Sequence, residues 1–230
     1  MRRVTLISIL FLSILNGKPT ENQIQGRLNI INGASAECVM HYFYKKDNWV
    51  QLEGEIGRNG IDGLYYKKKK EVIKEILVAE SKWNKAKLSK SGKNKTIKQM
   101  SQEWIIKTMK KLESKYPNPI YSKLKKLIEN DQYRARLFNL KPLSKNRIQI
   151  SIYKIKNKGS KTIEIGEPNK LDAIDINSPK NSFETGVVNS YNECRETYLK
   201  KYLPSLTNEN IKTLLKDNYL QKKDITILLK

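Results

Sequence analysis

The amino-acid sequence predicts an α/β fold, in which a small mixed β-sheet carries helices on its faces and a helical segment follows at the C-terminus. Segments with the alternation typical of strands are separated by segments with helical periodicity. The chain has 230 residues, enough for one good-sized domain or for a domain with a small appendage. Hydrophobic residues make up 38% of it. This is below the usual share, so we expect a modest core.

The N-terminus has the pattern of a secretory signal peptide. A basic start, Met1-Arg2-Arg3, precedes an apolar run over 4–15 and a polar break. The run is short for a membrane span, which needs about 20 residues. We expect residues 1–17 to be a signal peptide and the protein to be secreted, with no stable membrane span after its removal. The alternatives are a buried first element of the fold and a retained membrane anchor.

The first half of the remaining chain predicts a helix and a β-hairpin. Apolar residues recur at helical spacing after Ser35, a plausible N-cap, and Glu37 falls in the first turn. Three consecutive lysines then separate two strand-like segments, so we expect them to form an exposed turn. In chain order these predictions are a linker at 18–33, a helix at 34–44, a strand starting near 49, and hairpin strands at 61–67 and 71–82 joined by a turn at 68–70.

The second half predicts helices, a further hairpin and a helical end. Pro117 and Pro119 stop the first of these helices. Ile148, Ile150 and Ile152 alternate with polar residues, which indicates a strand. The predictions are a polar loop at 89–98, helices at 99–115 and 121–138, hairpin strands at 147–156 and 161–165, and helical structure over 187–229. We expect one main domain at 34–176 and a helical C-terminal segment of unknown role at 177–230.

The charge of the chain indicates a polyanionic partner. Lysine and arginine number 45 against 23 acidic residues, a formal net charge of +22. A field of this strength favours nucleic acid, an acidic membrane surface or an acidic glycan. Cys38 and Cys194 lack metal-site spacing; they either pair in an oxidising compartment or serve as small buried hydrophobic residues.

The hairpin holds the residues that indicate chemistry. Asp62 and Glu80 each lie nine residues from Glu71, at the centre of the connection. If the strands pair symmetrically, the two carboxylates stand opposite each other, with Cβ atoms about 5 Å apart. Two carboxylates at that distance repel each other, and a cation between them would offset the repulsion. A hard divalent ion with oxygen ligands, Mg²⁺ or Mn²⁺, fits this arrangement.

Lys82 is expected to lie beside this pair. It follows Glu80 by two residues, so on a strand both side chains point to the same face. An ammonium group at such a site can orient water and stabilise the negative charge that develops on a phosphate. The residue types therefore favour metal-assisted phosphodiester hydrolysis. Taken singly, Asp62 suits a turn between glycines, and Glu80 and Lys82 suit a solvated strand face.

Several short motifs, read in order, resemble the PD-(D/E)XK nucleases. More specifically, they are similar to the nuclease domains at the C-terminal ends of bacterial contact-dependent and polymorphic toxins. The resemblance covers residues 34–115. The motifs are Gly60-Ile61-Asp62-Gly63, Glu80-Ser81-Lys82-Trp83, and Lys98-Gln99-Met100-Ser101 with Trp104.

This resemblance implies a restriction-endonuclease-like core and a metal-dependent endonuclease that cuts DNA or RNA. It implies that Glu37, Asp62 and Glu80 bind Mg²⁺ or Mn²⁺, and that Lys82 is the catalytic lysine. Gln99 joins the catalytic set, in contact with substrate or with Lys82. Here Ala36-Glu37 stands where the family usually has Gly-Glu. A toxin of this kind also implies a cognate immunity protein as partner.

Lysines that follow the hairpin are expected to bind nucleic acid. Seven fall within residues 82–98, where they either form a soluble loop or make a phosphate-binding rim beside the site. Those assigned to the rim are Lys85, Lys87, Lys90, Lys93, Lys95 and Lys98. The alternative to an enzyme is a non-catalytic basic protein that binds nucleic acid and keeps a degenerate nuclease fold.

Overall fold

A computed structural model describes residues 19–56, 60–217 and 219–229 of the chain. The predicted signal peptide at 1–17 lies outside the described residues. None of the helices in the described ranges is both long and apolar enough to cross a membrane. Helices span Glu21–Lys46 (α1), Gln102–Lys115 (α2), Pro119–Glu129 (α3), Ser182–Tyr202 (α4), Asn208–Leu215 (α5) and Lys222–Leu228 (α6).

The strands form one mixed sheet and one small ribbon. The sheet has the order β1-β2-β3-β6-β7-β8, with β9 paired to β7, and β4 and β5 form the ribbon. Only β3 and β6 pair in parallel among the described strands, and α2 and α3 lie in the connection between them. The strands are Val50–Leu52 (β1), Gly63–Lys69 (β2), Val72–Trp83 (β3), Lys90–Ser91 (β4), Ile97–Lys98 (β5), Arg134–Ser144 (β6), Arg147–Asn157 (β7), Ile163–Lys170 (β8) and Ile174–Asp175 (β9).

Helices cover both faces of this sheet, which confirms the predicted α/β class. Side chains alternate along β3: Ile76 and Val78 pack with α2 and α3, whereas Leu77 and Ala79 pack with α1 and α4. Glu80 and Lys82 continue the first series and therefore belong to the face that α2 covers. Strand alternation thus places both Glu80 and Lys82 on the side of the sheet where α2 lies.

The predicted linker at 18–33 is wrong, because α1 already begins at Glu21. Thr20 is its N-cap and forms a capping box with Gln23, whereas the expected cap, Ser35, is buried inside the helix and donates to the carbonyl of Ile31. The N-terminal half is helical because an apolar stripe packs against α4, α5 and α6. Its members are Ile24, Leu28 and Ile31.

The predicted helix at 121–138 is also wrong in its second half. The helix ends at Glu129, and residues from Arg134 onward form β6. Asp131, with φ of 58°, reverses the chain between the two elements. Apolar residues on this strand can satisfy a helical pattern, but parallel pairing with β3 buries Phe138 and Leu140 completely. Tertiary pairing therefore overrides the local pattern.

Smaller differences concern the ends of elements. The hairpin turn is Lys70-Glu71 rather than 68–70, with φ of 49° and 61° at its two residues. The first predicted helix after the site starts at Gln102 instead of 99, because Met100 has φ of 69° and Ser101 is the N-cap. The polar loop at 89–98 contains the short β4-β5 ribbon.

The C-terminal helices share the core of the fold. The helix α4 packs along α1, and Cys38 of α1 forms a disulfide with Cys194 of α4 across a sequence separation of 156. The two cysteines thus pair, one of the two possibilities left open by the sequence. The helices α4, α5 and α6 complete the layer that contains α1.

Candidate active site

The β2-β3 hairpin brings the two acidic residues together. Gly63 pairs with Ala79, so one further step along the same register places Asp62 opposite Glu80. The connecting turn is centred between Lys70 and Glu71, half a residue from the expected centre. A bulge near Lys67 and Lys68 shifts the register by one residue and restores the expected opposition of the carboxylates.

The carboxylate of Glu80 is buried, and one of its oxygens is unsatisfied. The residue is 2% exposed. Its Oε1 accepts hydrogen bonds from Lys82 Nζ and from Gln99 Nε2, each at 2.5 Å. Its Oε2 is buried and has no hydrogen-bond partner among the described residues. Burial and the neighbouring Asp62 raise the pKa of Glu80 to about 8, against the opposing effect of the Lys82 ammonium.

Asp62 is held by the strand that carries Glu80. Its Oδ2 accepts hydrogen bonds from the Ser81 backbone N–H at 2.9 Å and from the Ser81 hydroxyl at 3.1 Å. Both bonds fix the carboxylate beside the hairpin edge. Asp62 also acts electrostatically on Glu80, so the two acids share one site.

Gln99 orients Glu80 and ties it to the following loop. The side-chain Oε1 of Gln99 accepts a hydrogen bond from the Ser89 backbone N–H at 3.0 Å. Its backbone N–H donates to the Ser89 carbonyl at 2.9 Å. Gln99 was expected to contact substrate or Lys82. The structure places its amide on the carboxylate that Lys82 also contacts, and its contact with substrate stays a prediction.

Glu37 lines the same cavity but has a different partner. It reaches from α1, and its Oε1 lies 3.4 Å from His41 Nε2. The other nitrogen of His41, Nδ1, lies 2.6 Å from the Tyr65 hydroxyl. Within the described ranges, no three His, Cys, Asp or Glu side chains gather closely enough to hold a metal ion. The three acids expected to bind metal are therefore not gathered at one point: Asp62 and Glu80 interact with each other, whereas Glu37 pairs with His41.

The donor set fits a hard divalent cation in part. An unpartnered carboxylate oxygen on Glu80 faces a second carboxylate, and such oxygens are the ligands that Mg²⁺ prefers. Mg²⁺ commonly keeps several waters and needs only one or two protein carboxylates. Asp62 and Glu80 are thus the residues that could hold the ion, with Glu37 at a greater distance in the cavity wall.

An open cavity of about 1210 Å³ surrounds these residues. Three of the six lysines assigned to the rim line it: Lys85, Lys87 and Lys90. Lys98 does not; its Nζ donates to the Leu88 carbonyl at 2.7 Å, and burial lowers its pKa. Lys95 is not among the lining residues either, and the side chain of Lys93 lies outside what the structure describes.

Two lysines that sequence analysis missed also line the cavity. Lys107 and Lys111 come from α2, on the same helical face as Trp104 and Thr108. The signal was present, because a four-residue spacing on a predicted helix puts both lysines on one face. The spacing alone does not show that this face of α2 lies towards Glu80.

The glycines beside Asp62 accommodate packing within the protein. A Cβ on Gly63 would lie 2.5 Å from the Tyr65 ring and 3.0 Å from Met40, and one on Gly60 would lie 2.4 Å from the Gly54 carbonyl oxygen. A glycine leaves free the space that a Cβ would occupy. At Gly63 that space is filled by the chain's own core, whereas Gly60 both contacts the neighbouring loop and lines the cavity.

Comparisons with protein-family models, with curated proteins and with solved structures found no match to this chain. Its functional interpretation therefore depends on the geometry of the site itself. That geometry consists of a buried acid pair with an unsatisfied oxygen, an ammonium group on the same acid, and a cavity wall rich in lysine.

Proposed function

We propose that this protein is a metal-dependent nuclease of the PD-(D/E)XK type, with a restriction-endonuclease-like core, that hydrolyses phosphodiester bonds of DNA or RNA. The observation that carries the proposal is the unpartnered Oε2 of Glu80, buried opposite Asp62 while Lys82 and Gln99 occupy Oε1. A buried acceptor without a partner costs free energy. A proton shared with Asp62 removes that cost at low pH, and a cation between the two acids would remove it where both are ionised.

Each residue of the site has a distinct proposed role. Asp62 and Glu80 would hold Mg²⁺ or Mn²⁺, which when bound polarises a phosphoryl oxygen and activates water. Lys82, 17% exposed and directed at Glu80, stabilises the negative charge that develops on the phosphate. Gln99 positions Glu80 through its amide, and Ser81 positions Asp62.

The disulfide supports the further proposal of an exported, toxin-type nuclease. Disulfides persist in oxidising compartments and are rare in the cytosol, and Cys38 and Cys194 are paired. A cognate immunity protein would then be a partner of the protein in the producing cell. A direct test is export of a full-length fusion, in which loss of residues 1–17 should retain the protein inside the cell.

The enzymatic proposal is tested with purified Lys82→Ala protein. We expect the parent to cleave plasmid, genomic DNA or total RNA with Mg²⁺ and to stop with chelator. Removing a charge-stabilising group of this kind costs about 10²–10³ in rate. The proposal fails if Lys82→Ala cleaves as fast as the parent.

The alternative is a non-catalytic nucleic-acid-binding protein, and one observation favours it. Among the described residues, three metal-binding side chains do not come together. Under this alternative the parent binds nucleic acid in a salt-sensitive manner but shows no Mg²⁺-dependent cleavage of any substrate. The same set of incubations therefore distinguishes the two functions.

A further inference from the structure

The helix α2 presents one face to the cavity. The side chains on that face recur at spacings of three and four residues, as neighbours on a helix do. Trp104 and Thr108 are buried and form the wall, whereas Lys107 and Lys111 are exposed at the rim. We call these two lysines the α2 lysine pair.

The charge around the cavity is unbalanced. Lysines lining it outnumber the acids, which are Glu37, Asp62 and Glu80. Lys107 pairs with Glu103 on the exposed surface of α2, an interaction that water and salt weaken. Lys111 has no ion-pair partner among the described residues. The Lys111 ammonium group is thus available to an external anion, and that of Lys107 can exchange its exposed partner for one.

The position of α2 relates this anion to the candidate site. Gln99, which contacts Glu80, lies three residues before the start of α2 at Gln102, so the helix leads away from the acid pair. Four helical residues rise about 6 Å, which is comparable to the separation of successive phosphates on a nucleic-acid strand. Lys85, Lys87 and Lys90 line the cavity from the loop that follows β3.

We propose that the α2 lysine pair binds two consecutive phosphates of a DNA or RNA strand, on one side of the phosphate at Asp62 and Glu80. The location of the cleaved phosphate rests on the proposed nuclease function. Binding of the backbone by Lys107 and Lys111 does not require cleavage. Contacts to phosphate carry affinity and register without sequence preference, so this surface orients the strand and leaves base recognition to other residues.

The test compares two double variants of the full chain with equal loss of charge. Lys107→Gln with Lys111→Gln removes the pair. Lys110→Gln with Lys123→Gln is the control, because both control lysines are exposed and neither lines the cavity. Affinity for a labelled single-stranded DNA and for the matching RNA is measured by fluorescence anisotropy in chelator, over a series of salt concentrations.

We expect the pair variant to reduce the magnitude of the negative slope of log K against log salt by about 1.4, since each contact to a single strand contributes about 0.7. The control variant should change that magnitude by less than the value for one contact, about 0.7. Equal slopes for the two variants would overturn the proposal, because net charge alone would then account for binding. The DNA and RNA arms show which backbone the surface prefers.

A cleavage measurement separates this inference from the proposed function. With Mg²⁺, the pair variant should raise KM and leave kcat nearly unchanged, since Lys107 and Lys111 bind the strand away from the reacting phosphate. If the parent does not cleave but the slopes differ as expected, the nuclease proposal fails and the binding surface stands. If the parent cleaves and the slopes do not differ, the binding surface is wrong.

Discussion

At the scale of single residues, burial of the Glu80 carboxylate lowers the stability of the protein when no ligand is bound. Its carboxylate is almost fully buried, one oxygen lacks a partner, and a second carboxylate lies opposite. Lys82 and Gln99 compensate in part by donating to the other oxygen. Burial of an acid beside another acid favours the protonated form, so the pKa of Glu80 is raised.

The raised pKa of Glu80 predicts how stability depends on pH. The pKa rises from 4.5 to about 8 on folding, so between these values the folded protein binds more protons than the unfolded chain. The stabilisation that comes from proton binding at Glu80 is fully present below pH 4.5 and is lost as the pH rises towards 8. In chelator, the Glu80→Gln variant should not show this fall in stability with pH. Its free energy of unfolding should therefore rise relative to that of the parent across this window, by about 1.4 kcal/mol per pH unit at most.

Urea denaturation of parent and variant at several pH values measures this difference. Adding Mg²⁺ at pH 8 should stabilise the parent more than Glu80→Gln, because a neutral amide is a poor substitute for the carboxylate ligand. A variant whose stability stays parallel to that of the parent from pH 4.5 to 8 would show that Glu80 is ionised throughout.

At the scale of elements, the β2-β3 hairpin and α1 determine what reaches the site. A bulge on the hairpin places Glu80, and not Ala79, opposite Asp62. The first helix lies across the same edge and brings Glu37 to the cavity and Met40 against Gly63. The hairpin is therefore held in place by its packing against α1 as well as by its own turn.

Two glycine substitutions test this packing. The added methyl group of Gly63→Ala would lie 2.5 Å from the buried Tyr65 ring, so we expect a loss of about 1–3 kcal/mol in the free energy of unfolding. Gly26→Ala is the matched control on α1, where nothing lies within 4 Å of the added carbon. It should increase stability by about 0.5–1 kcal/mol, because glycine is a poor helix former. Urea midpoints that shift in opposite directions from that of the parent support this packing, and equal shifts contradict it.

At the scale of the whole molecule, the C-terminal helices support the site from behind the sheet. Trp83, in the cavity wall, stacks on Tyr191 of α4 with ring centres 6.2 Å apart, and the Arg195 guanidinium lies 4.8 Å from the Tyr191 ring. Arg195 also donates to the carbonyls of Leu214 and Asp217 at the end of α5. A continuous set of contacts thus links the last third of the chain to the wall of the cavity.

The disulfide between α1 and α4 predicts a stability effect. Cys38 and Cys194 are separated by 156 residues, and removing a native disulfide costs about 2–5 kcal/mol. We expect Cys38→Ala with Cys194→Ala to lose an amount in that range, measured by urea denaturation. Dithiothreitol should destabilise the parent equally and leave the double variant unaffected. A parent whose midpoint does not respond to dithiothreitol would contradict the bond.

Local sequence determined the α/β class, most strands and the residue types of the candidate site. Alternation and helical periodicity depend on near neighbours, so β7 and the C-terminal helices were predictable from their own residues. Asp62, Glu80 and Lys82 were also recognisable, because hairpin partners are close in sequence. The linker at 18–33 failed because its apolar stripe has meaning only beside α4 to α6, which are far along the chain.

Contacts between distant segments were decided by tertiary structure alone. Gln99 on Glu80, the disulfide, and the approach of Lys107 and Lys111 to the cavity depend on how helices pack on the two sheet faces. The bulge likewise decides a one-residue register that followed from the sequence only on the assumption of symmetric pairing about Glu71. The sequence by itself determined which residue types the candidate site contains. Packing of the layers decided which side chains meet, since burial couples residues without regard to their separation in sequence.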